Sequence, residues 1–513
     1  MLYEVITCRP RVGRGYALFV LFLFSVVSFF TYFDRGAVVG SMSNLRRDPL
    51  IGGQSGRLSD TQCGMLVSVF MVGFMCACPL FAALGKYCQP KLLIVIGLSV
   101  WCGCCFLSGW TTSYTTLLLV RAMVGVGEAS FIGYGITVID NVAPPSCRTI
   151  FIGIFYATIP VGTAAGMIAG GVVCSQSSVF GHAPWRSLFI GEAVAFLLFF
   201  VLLCTVPGET FRVAPAPQQG EEEEEEAYIP VVQATCFLIR DKNYVFTVLG
   251  NAAQCFVVGS VSVWAISLLV QGPLHFSDAA ASTTVGCVTS IGGLVGSVAG
   301  GVAVDLLGGS KGRKGIAKCI RFCLAMIAIS IPLGWVAIFA TNPGIFTVAF
   351  FVSVVAIFAI TAPLNVAVLT MVPAVLRPYA VGYTVFVIHL CGDFPSPTMT
   401  GALSDQYSDG CTLRDTIEKC AEGEQCFWVN SGKGNCVHEQ QLQKSLGIVF
   451  AVLLLAVPCW LFVLYRLGLQ PEEGAAPVEV PAEEEEGGQD QNQLNYCTVY
   501  WIYGQWVAWS LFC

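Results

Sequence analysis

The feature that most constrains this chain is the recurrence of apolar runs long enough to cross a bilayer. A spanning helix needs about 20 predominantly apolar residues. Runs bounded by charges or by Pro and Gly occur near residues 17–40, 62–84, 91–110, 115–140, 149–174 and 187–206. Six more follow near 243–270, 279–307, 317–340, 344–371, 377–402 and 445–468. Between the two sets lies a polar stretch with Pro215, Pro217 and the acidic run Glu221 to Glu226. The pattern predicts an all-α polytopic membrane protein of twelve transmembrane helices in two six-helix lobes. The expected units are an N-terminal lobe (1–206), an acidic cytosolic linker (207–242), a C-terminal lobe (243–468) with an outer loop at 404–444, and a disordered cytosolic tail (469–513).

Composition enters as a test of that pattern. Only 12% of the residues are charged and 55% are hydrophobic, whereas soluble domains carry about 25% charged residues. The deficit runs along the whole chain, which excludes a soluble enzyme with a single anchor. The net charge of -7 comes largely from Glu221 to Glu226 and Glu483 to Glu486, which read as solvated segments. No basic patch suited to nucleic acid is present. Arg9, Arg11 and Arg14 precede an apolar run too long for a cleavable leader, so it reads as the first span.

Orientation follows from the loops. Lys86, Lys91, Arg148, Lys311, Arg313, Lys314, Lys318 and Arg377 fall on the side of the termini, against Arg46, Arg47, Arg57 and Arg186 opposite. The positive-inside rule then places both termini in the cytosol. The 404–444 loop faces outward or into a lumen, where disulfides persist. It carries Cys411, Cys420, Cys426 and Cys436, an even set with three possible pairings. A zinc site is the alternative, but paired C-x-x-C spacing is missing. Cysteines inside the spans, such as Cys102 and Cys105, read as small packing residues.

Charges inside spans cost roughly 3 kcal/mol each on insertion scales, so they need a partner or a task. Asp34 and Arg35 lie near the outer end of span 1, and Arg121 and Glu128 lie in span 4. Arg121 and Glu128 are two helical turns apart and share a face, beside a small-residue row of Gly125, Ala129 and Gly133. Two readings stay open: structural ion pairs joining spans 1 and 4, or a relay whose protonation drives transport. Gly162, Gly166 and Gly170 on span 5 and Gly292, Gly296 and Gly300 on span 8 match helices expected to meet between lobes. In span 11, His389 and Asp393 share a face one turn apart, and Pro395 and Pro397 then break or kink the helix.

These strings have a family resemblance. Arg121-Ala-Met-Val-Gly-Val-Gly-Glu-Ala-Ser130 resembles the fourth-helix motif of the Spinster family within the major facilitator superfamily. Tyr32-Phe-Asp-Arg35, Ile159-Pro-Val-Gly162 and His389-Leu-Cys-Gly-Asp393 with Ser404-Asp405 are similar to its first-, fifth- and eleventh-helix motifs. Members are lysosomal or cell-surface transporters of lysophospholipids, sphingosine 1-phosphate and related amphiphiles, some of them proton-coupled. The resemblance implies that Asp34 and Glu128 are proton-responsive acids and that Arg121 is their partner or the anion contact. The stretch Gly85-Lys-Tyr-Cys-Gln-Pro-Lys91 has Gly85 where the superfamily's gating acid stands, while Asp305 with Arg313 keeps the second-half latch.

The resulting expectation is a secondary active (symporter or antiporter) or facilitative transporter of a lysophospholipid or sphingoid phosphate, working by alternating access around a midplane cavity. Arg35 and Arg121 would meet an anionic head group, Trp264 and Phe256 would flank the acyl chain, and Asp34, Glu128, His389 and Asp393 would carry protons. It would need no cofactor or metal, catalyse no reaction, and work as a monomer in a lysosomal, endomembrane or plasma membrane. A small organic anion or sugar carrier and a non-transporting receptor or scaffold are the alternatives.

Overall fold

In a computed structural model of the chain, the described residues are 13–52, 58–85, 87–144, 148–176, 178, 182–211, 231–306, 312–373, 376–407, 410–412, 425–429, 433–437 and 440–469. The Glu221 to Glu226 run, Arg57, Lys86, Lys311, Cys420 and the tail from residue 470 lie outside them.

The first lobe contains α1 (Arg14–Gly40), the short α2 (Met42–Arg46) and α3 (Pro49–Gly52), α4 (Asp60–Leu84), α5 (Pro90–Ser108), α6 (Tyr114–Val142), α7 (Arg148–Cys174) and α8 (Pro184–Thr205). The second contains α9 (Val231–Arg240), α10 (Lys242–Gln271), α11 (Asp278–Leu306), α12 (Gly312–Ile338), α13 (Pro343–Ala359) and α14 (Thr361–Met371). It continues with α15 (Arg377–Ile388), α16 (Ser396–Gln406), α17 (Gln441–Ala451) and α18 (Ala456–Leu469). Among the described residues, eleven segments are long and apolar enough to cross a bilayer, with α13–α14 and α17–α18 each counted as one. The twelfth is 377–406, which a π-helical turn at His389–Asp393 and the prolines Pro395 and Pro397 split into pieces. The expected twelve spans are therefore present, with the predicted break in the eleventh.

Burial is arranged for lipid. Leu119, Leu198 and Val348 are exposed on the outside of the bundle, as a lipid-facing surface requires. Two helix starts carry ordinary side-chain caps: Asp241 accepts from the Asn243 and Tyr244 amides (2.8 and 3.4 Å), and Asn342 caps α13 ahead of Pro343.

Three expectations need correction. The glycine rows do not line the meeting of spans 5 and 8. Gly162, Gly166 and Gly170 seat α1 on α7 inside one lobe, against Phe29, Phe33 and Gly40, and Gly36 and Gly40 reciprocate against Thr163 and Met167. Gly292, Gly296 and Gly300 seat α13 on α11. Spans 5 and 8 do meet, but through other residues: Gly171 against Ser282, Ala164 against Gly286, and the Ser290 hydroxyl donating to the Pro160 carbonyl at 3.0 Å. Close backbone approach through a missing Cβ also occurs across the lobes, where Gly64 lies against Pro397 and Gly401 against Asp60.

The linker is not irregular throughout, because its end forms α9, which buries Ala234 and Leu238 and sets Thr235 in hydrogen-bond contact with Tyr383 (2.5 Å). The outer loop also departs from all-α. Its strands β1 (Gly410–Thr412), β2 (Gln425–Val429) and β3 (Lys433–Val437) form an antiparallel sheet in the order β1-β3-β2. Phe427, Trp428 and Val429 are residues that suit a pleated surface. The register sets Cys426 opposite Cys436; the sulfurs of Cys411, Cys426 and Cys436, like all of Cys420, lie outside the described part.

Candidate functional site

The in-span charges come together as a crossed pair of ion pairs between α1 and α6. Arg121 grips Asp34 with both terminal nitrogens, Nη1 to Oδ1 at 2.9 Å and Nη2 to Oδ2 at 2.5 Å. Arg35 grips Glu128, Nη2 to Oε1 at 2.6 Å and Nε to Oε2 at 3.4 Å. Both carboxylates are fully buried, so paired, hydrogen-bonded partners are what permit the charges there. Glu128 therefore pairs with Arg35 and not with Arg121 on its own face. Asp34 and Arg35 are consecutive residues about 100° apart around α1, so each reaches a different level of α6. This bears out the reading of two pairs joining spans 1 and 4, and corrects which partner belongs to which acid.

Small residues bring the helices this close. Gly125 lies against the Phe70 backbone and Gly73 against that of Ala122, clamping α4 to α6, while Gly127 meets Gly97 and Trp101 of α5. The guanidinium of Arg35 sits over Tyr32, Phe70 and Phe74 at 4.9, 4.6 and 5.5 Å, a cationic site held on aromatic faces. Arg121 sits over Phe189 at 5.3 Å.

Between the lobes lies a cavity lined by residues of both. Its walls are mostly apolar, with Val38, Phe70 and Met71 from one lobe and Val257, Phe350 and Ile357 from the other. Arg35, Arg121 and Asp393 are the acidic and basic side chains that reach it among the described residues. Asp393 belongs to the π turn, where both its oxygens meet His389 Nδ1 at 3.0 and 3.1 Å. A π turn adds one residue to the helical circuit, a distortion often found at functional sites. The predicted His389–Asp393 contact is thus observed, and only its acid lines the cavity.

Two predicted wall residues are elsewhere. Trp264 is buried beyond the cavity, its indole N–H donating to the Pro397 carbonyl at 3.0 Å. Phe256 is buried about 100° around α10 from Val257, away from the cavity wall. For the gating pair, Arg313 opens α12 near its first turn, whereas the Asp305 side chain lies outside the described part.

At the end of the bundle carrying the 404–444 loop, the lobes are fastened by groups to which the sequence alone assigns no such role. Asp405 accepts from the Asp60 amide (2.9 Å), the Thr61 amide (2.8 Å) and the Thr61 hydroxyl (2.6 Å), so a residue of one lobe caps a helix of the other. Asp60 is paired with Arg46 and also accepts from Ser404 (2.5 Å) and Gln441 (3.1 Å). Arg46 reaches Gln271 across the lobes at 3.2 Å, and Ser43 donates to Asp278. Ser68 and Thr398 close the next level at 2.8 Å. Nearby Asp48 accepts from Arg186 (2.9 Å), Trp185 (2.8 Å) and the Leu50 amide (2.9 Å). Burial pushes its carboxyl up, but these donors outweigh it and hold Asp48 below the usual carboxylate range. Asp60 was discernible as an acid at the very start of an apolar run. Its partners on other helices were not.

Sequence comparison agrees with the geometry. The profile of the Major Facilitator Superfamily matches residues 24–392. A probable sphingolipid transporter, spinster homolog 2 of Arabidopsis thaliana, is 31% identical over 408 residues, covering 75% of this chain and 81% of the relative. A sphingosine-1-phosphate transporter of Danio rerio is 27% identical over 425 residues, covering 79% and 78%. Among solved structures, a bacterial homolog of the human lysosomal transporter Spinster, inward-facing and unoccupied, superposes with a TM-score of 0.71 at 17% identity, covering 89% of this chain and 98% of that one. A nucleoside transporter follows at a TM-score of 0.63 and 13% identity, so these likenesses speak for the fold alone. With twelve spans in two lobes, buried charges between spans 1 and 4 and a cavity at their seam, this chain is a multi-pass integral membrane transporter of the Spinster family within the major facilitator superfamily.

Proposed function

We propose that the chain carries a single-chain amphiphilic anion, a lysophospholipid or sphingoid phosphate, by alternating access coupled to protons. The observation that carries this reading is an apolar interlobe cavity with the Arg35 guanidinium at its wall. An acyl chain gains from apolar burial, about 0.8 kcal/mol per methylene, and a phosphate suits the guanidinium fork. A sugar or small organic anion would want more polar walls, which places that alternative second. A scaffold has no use for buried charges at a solvent-free seam.

In this reading Arg35 and Arg121 take the head group, while Asp34 and Glu128 are the acids whose protonation loosens the crossed pairs. His389 and Asp393 form a second proton-responsive pair in the other lobe. Cytosolic termini, inferred from loop charge, put the fastened end outside or in a lumen. The working unit is a monomer in the plasma membrane or an endomembrane such as the lysosome.

The test is uptake of a labelled lysolipid panel into proteoliposomes, with and without a pH gradient. Anionic lysolipids should move, and Arg35→Ala should weaken their binding while sparing neutral analogues. Transport of a small polar solute with no lysolipid movement would overturn the reading.

A further inference from the structure

Glu192 of α8 is 4% exposed, and neither carboxyl oxygen has a hydrogen-bond partner among the described residues. It sits in the apolar run Leu188 to Thr205, within a span. Buried carboxyls without donors are rare in folded proteins. A carboxylate here would be an unpaired charge in an apolar bundle, so the protonated acid is the form the packing admits. A second orphan belongs to the same cluster. Arg121 uses both terminal nitrogens on Asp34, and its Nε–H has no acceptor among the described residues.

The surroundings of Glu192 are specific. The charges that act on it are Asp34 of α1 and Arg121 and Glu128 of α6. From α5, Cys102 and Cys105 lie within electrostatic reach of it, and Cys105 also donates to Asp34 Oδ1 at 3.6 Å. The titratable groups of the other neighbours look elsewhere: Arg46 of α2 to Asp60, and Tyr156 and Cys174 of α7 to Tyr32 and Asp278. Arg121 thus has three carboxyls within electrostatic reach: Asp34, which it grips, Glu128, which Arg35 grips, and Glu192, which has no hydrogen-bond partner among the described residues.

We propose that Glu192 is a third proton-carrying carboxyl of this lobe, alternating with Asp34 as the ionised partner of Arg121. In the described state Asp34 is the carboxylate and Glu192 holds the proton. In the alternate state the Glu192 O–H bond breaks, an O–H bond forms on Asp34, and Arg121 turns its fork to Glu192. The proton moves between two oxygens, the guanidinium stays cationic, and the buried cluster keeps its net charge. That conservation matters because a change in buried charge would cost several kcal/mol per ion. The proposal adds a residue to the proton-coupled reading above and rests on it only for its role in transport.

The experiment separates the two. Infrared difference spectra of the full-length protein in lipid nanodiscs at neutral pH compare wild type with Glu192→Gln, an isosteric neutral change. The wild type should show the carbonyl band of a protonated carboxyl that the variant lacks. In an Asp34→Asn background, where Arg121 has lost its anion, the same comparison should show carboxylate bands for Glu192 instead. A carboxylate signature for Glu192 in the wild type overturns the proposal, and that arm does not require Asp34→Asn to fold. An acid band that persists in Asp34→Asn also overturns it. Uptake is read in parallel: Glu192→Gln should lose gradient-driven uptake but keep substrate exchange, and gradient-driven uptake at the wild-type rate would overturn the coupling role. If wild-type uptake ignores the gradient, the proton-coupled reading fails while the infrared arms still judge Glu192.

Discussion

Arg121→Ala tests whether the crossed pairs hold the lobe together. The substitution removes two charge-assisted bonds, at 2.9 and 2.5 Å, and strands the Asp34 carboxylate at a site with no solvent exposure. It also removes the guanidinium from the Phe189 face. Breaking a buried pair by deleting one partner costs about 3–5 kcal/mol, and the lost cation–π contact, about 1 kcal/mol, falls within that spread. At 1.4 kcal/mol per tenfold, the folded-to-unfolded ratio should fall by roughly two to three and a half decades. Most of the cost is the stranded anion. Removing Asp34 as well should therefore recover part of it, with a coupling of about 1–3 kcal/mol in the double-mutant cycle. Arg121→Lys keeps the charge without the planar fork and should fall between. The assay is reversible unfolding in mixed micelles followed by far-ultraviolet circular dichroism, across the four corners of the cycle. A single-mutant loss of 1 kcal/mol or less, the level of an exposed ion pair, would refute the reasoning. So would a double mutant whose losses simply add.

Other outcomes follow from the fastened end. Asp405→Ala removes a cross-lobe cap worth about 1–2 kcal/mol. It should shift the population away from the closed loop end by about 5–30-fold, read as longer distances between spin labels placed on α4 and α16; unchanged distances would dismiss the cap as a fastener. Asp48 is held below the usual carboxylate range, so its contribution is present above the unfolded value near 4 and is lost as pH falls through the folded one. The melting temperature should drop in that acidic window by an amount that Asp48→Asn abolishes, and identical pH profiles would count against the clamp. Cys411, Cys420, Cys426 and Cys436 should resist alkylation until reductant is added, in protein from its native membrane. Four free thiols would contradict the disulfide expectation or the outward loop.

Span number, order and the break in the eleventh span were legible because lipid imposes a one-dimensional code. Each helix must satisfy its backbone alone and present an apolar run of bilayer length, and that is visible residue by residue. The four charges of spans 1 and 4 were legible for the same reason, since an ionised group in such a run stands out by its cost. What they do to one another was not. Asp34 and Arg35 are adjacent in the chain, yet helical rotation sends one to Arg121 and the other to Glu128. Trp264 and Phe256 have the right chemistry for a cavity wall but the wrong azimuth and height on α10. Glu192 was as visible as Glu128, a single acid in an apolar run. Only the packed bundle, by leaving its oxygens without donors among the described residues beside an already occupied arginine, distinguishes it from a structural ion pair. Apolar periodicity along one chain determines what must enter the membrane. Which buried groups meet depends on helix rotation and interhelical distance, set by glycine contacts between segments far apart in sequence.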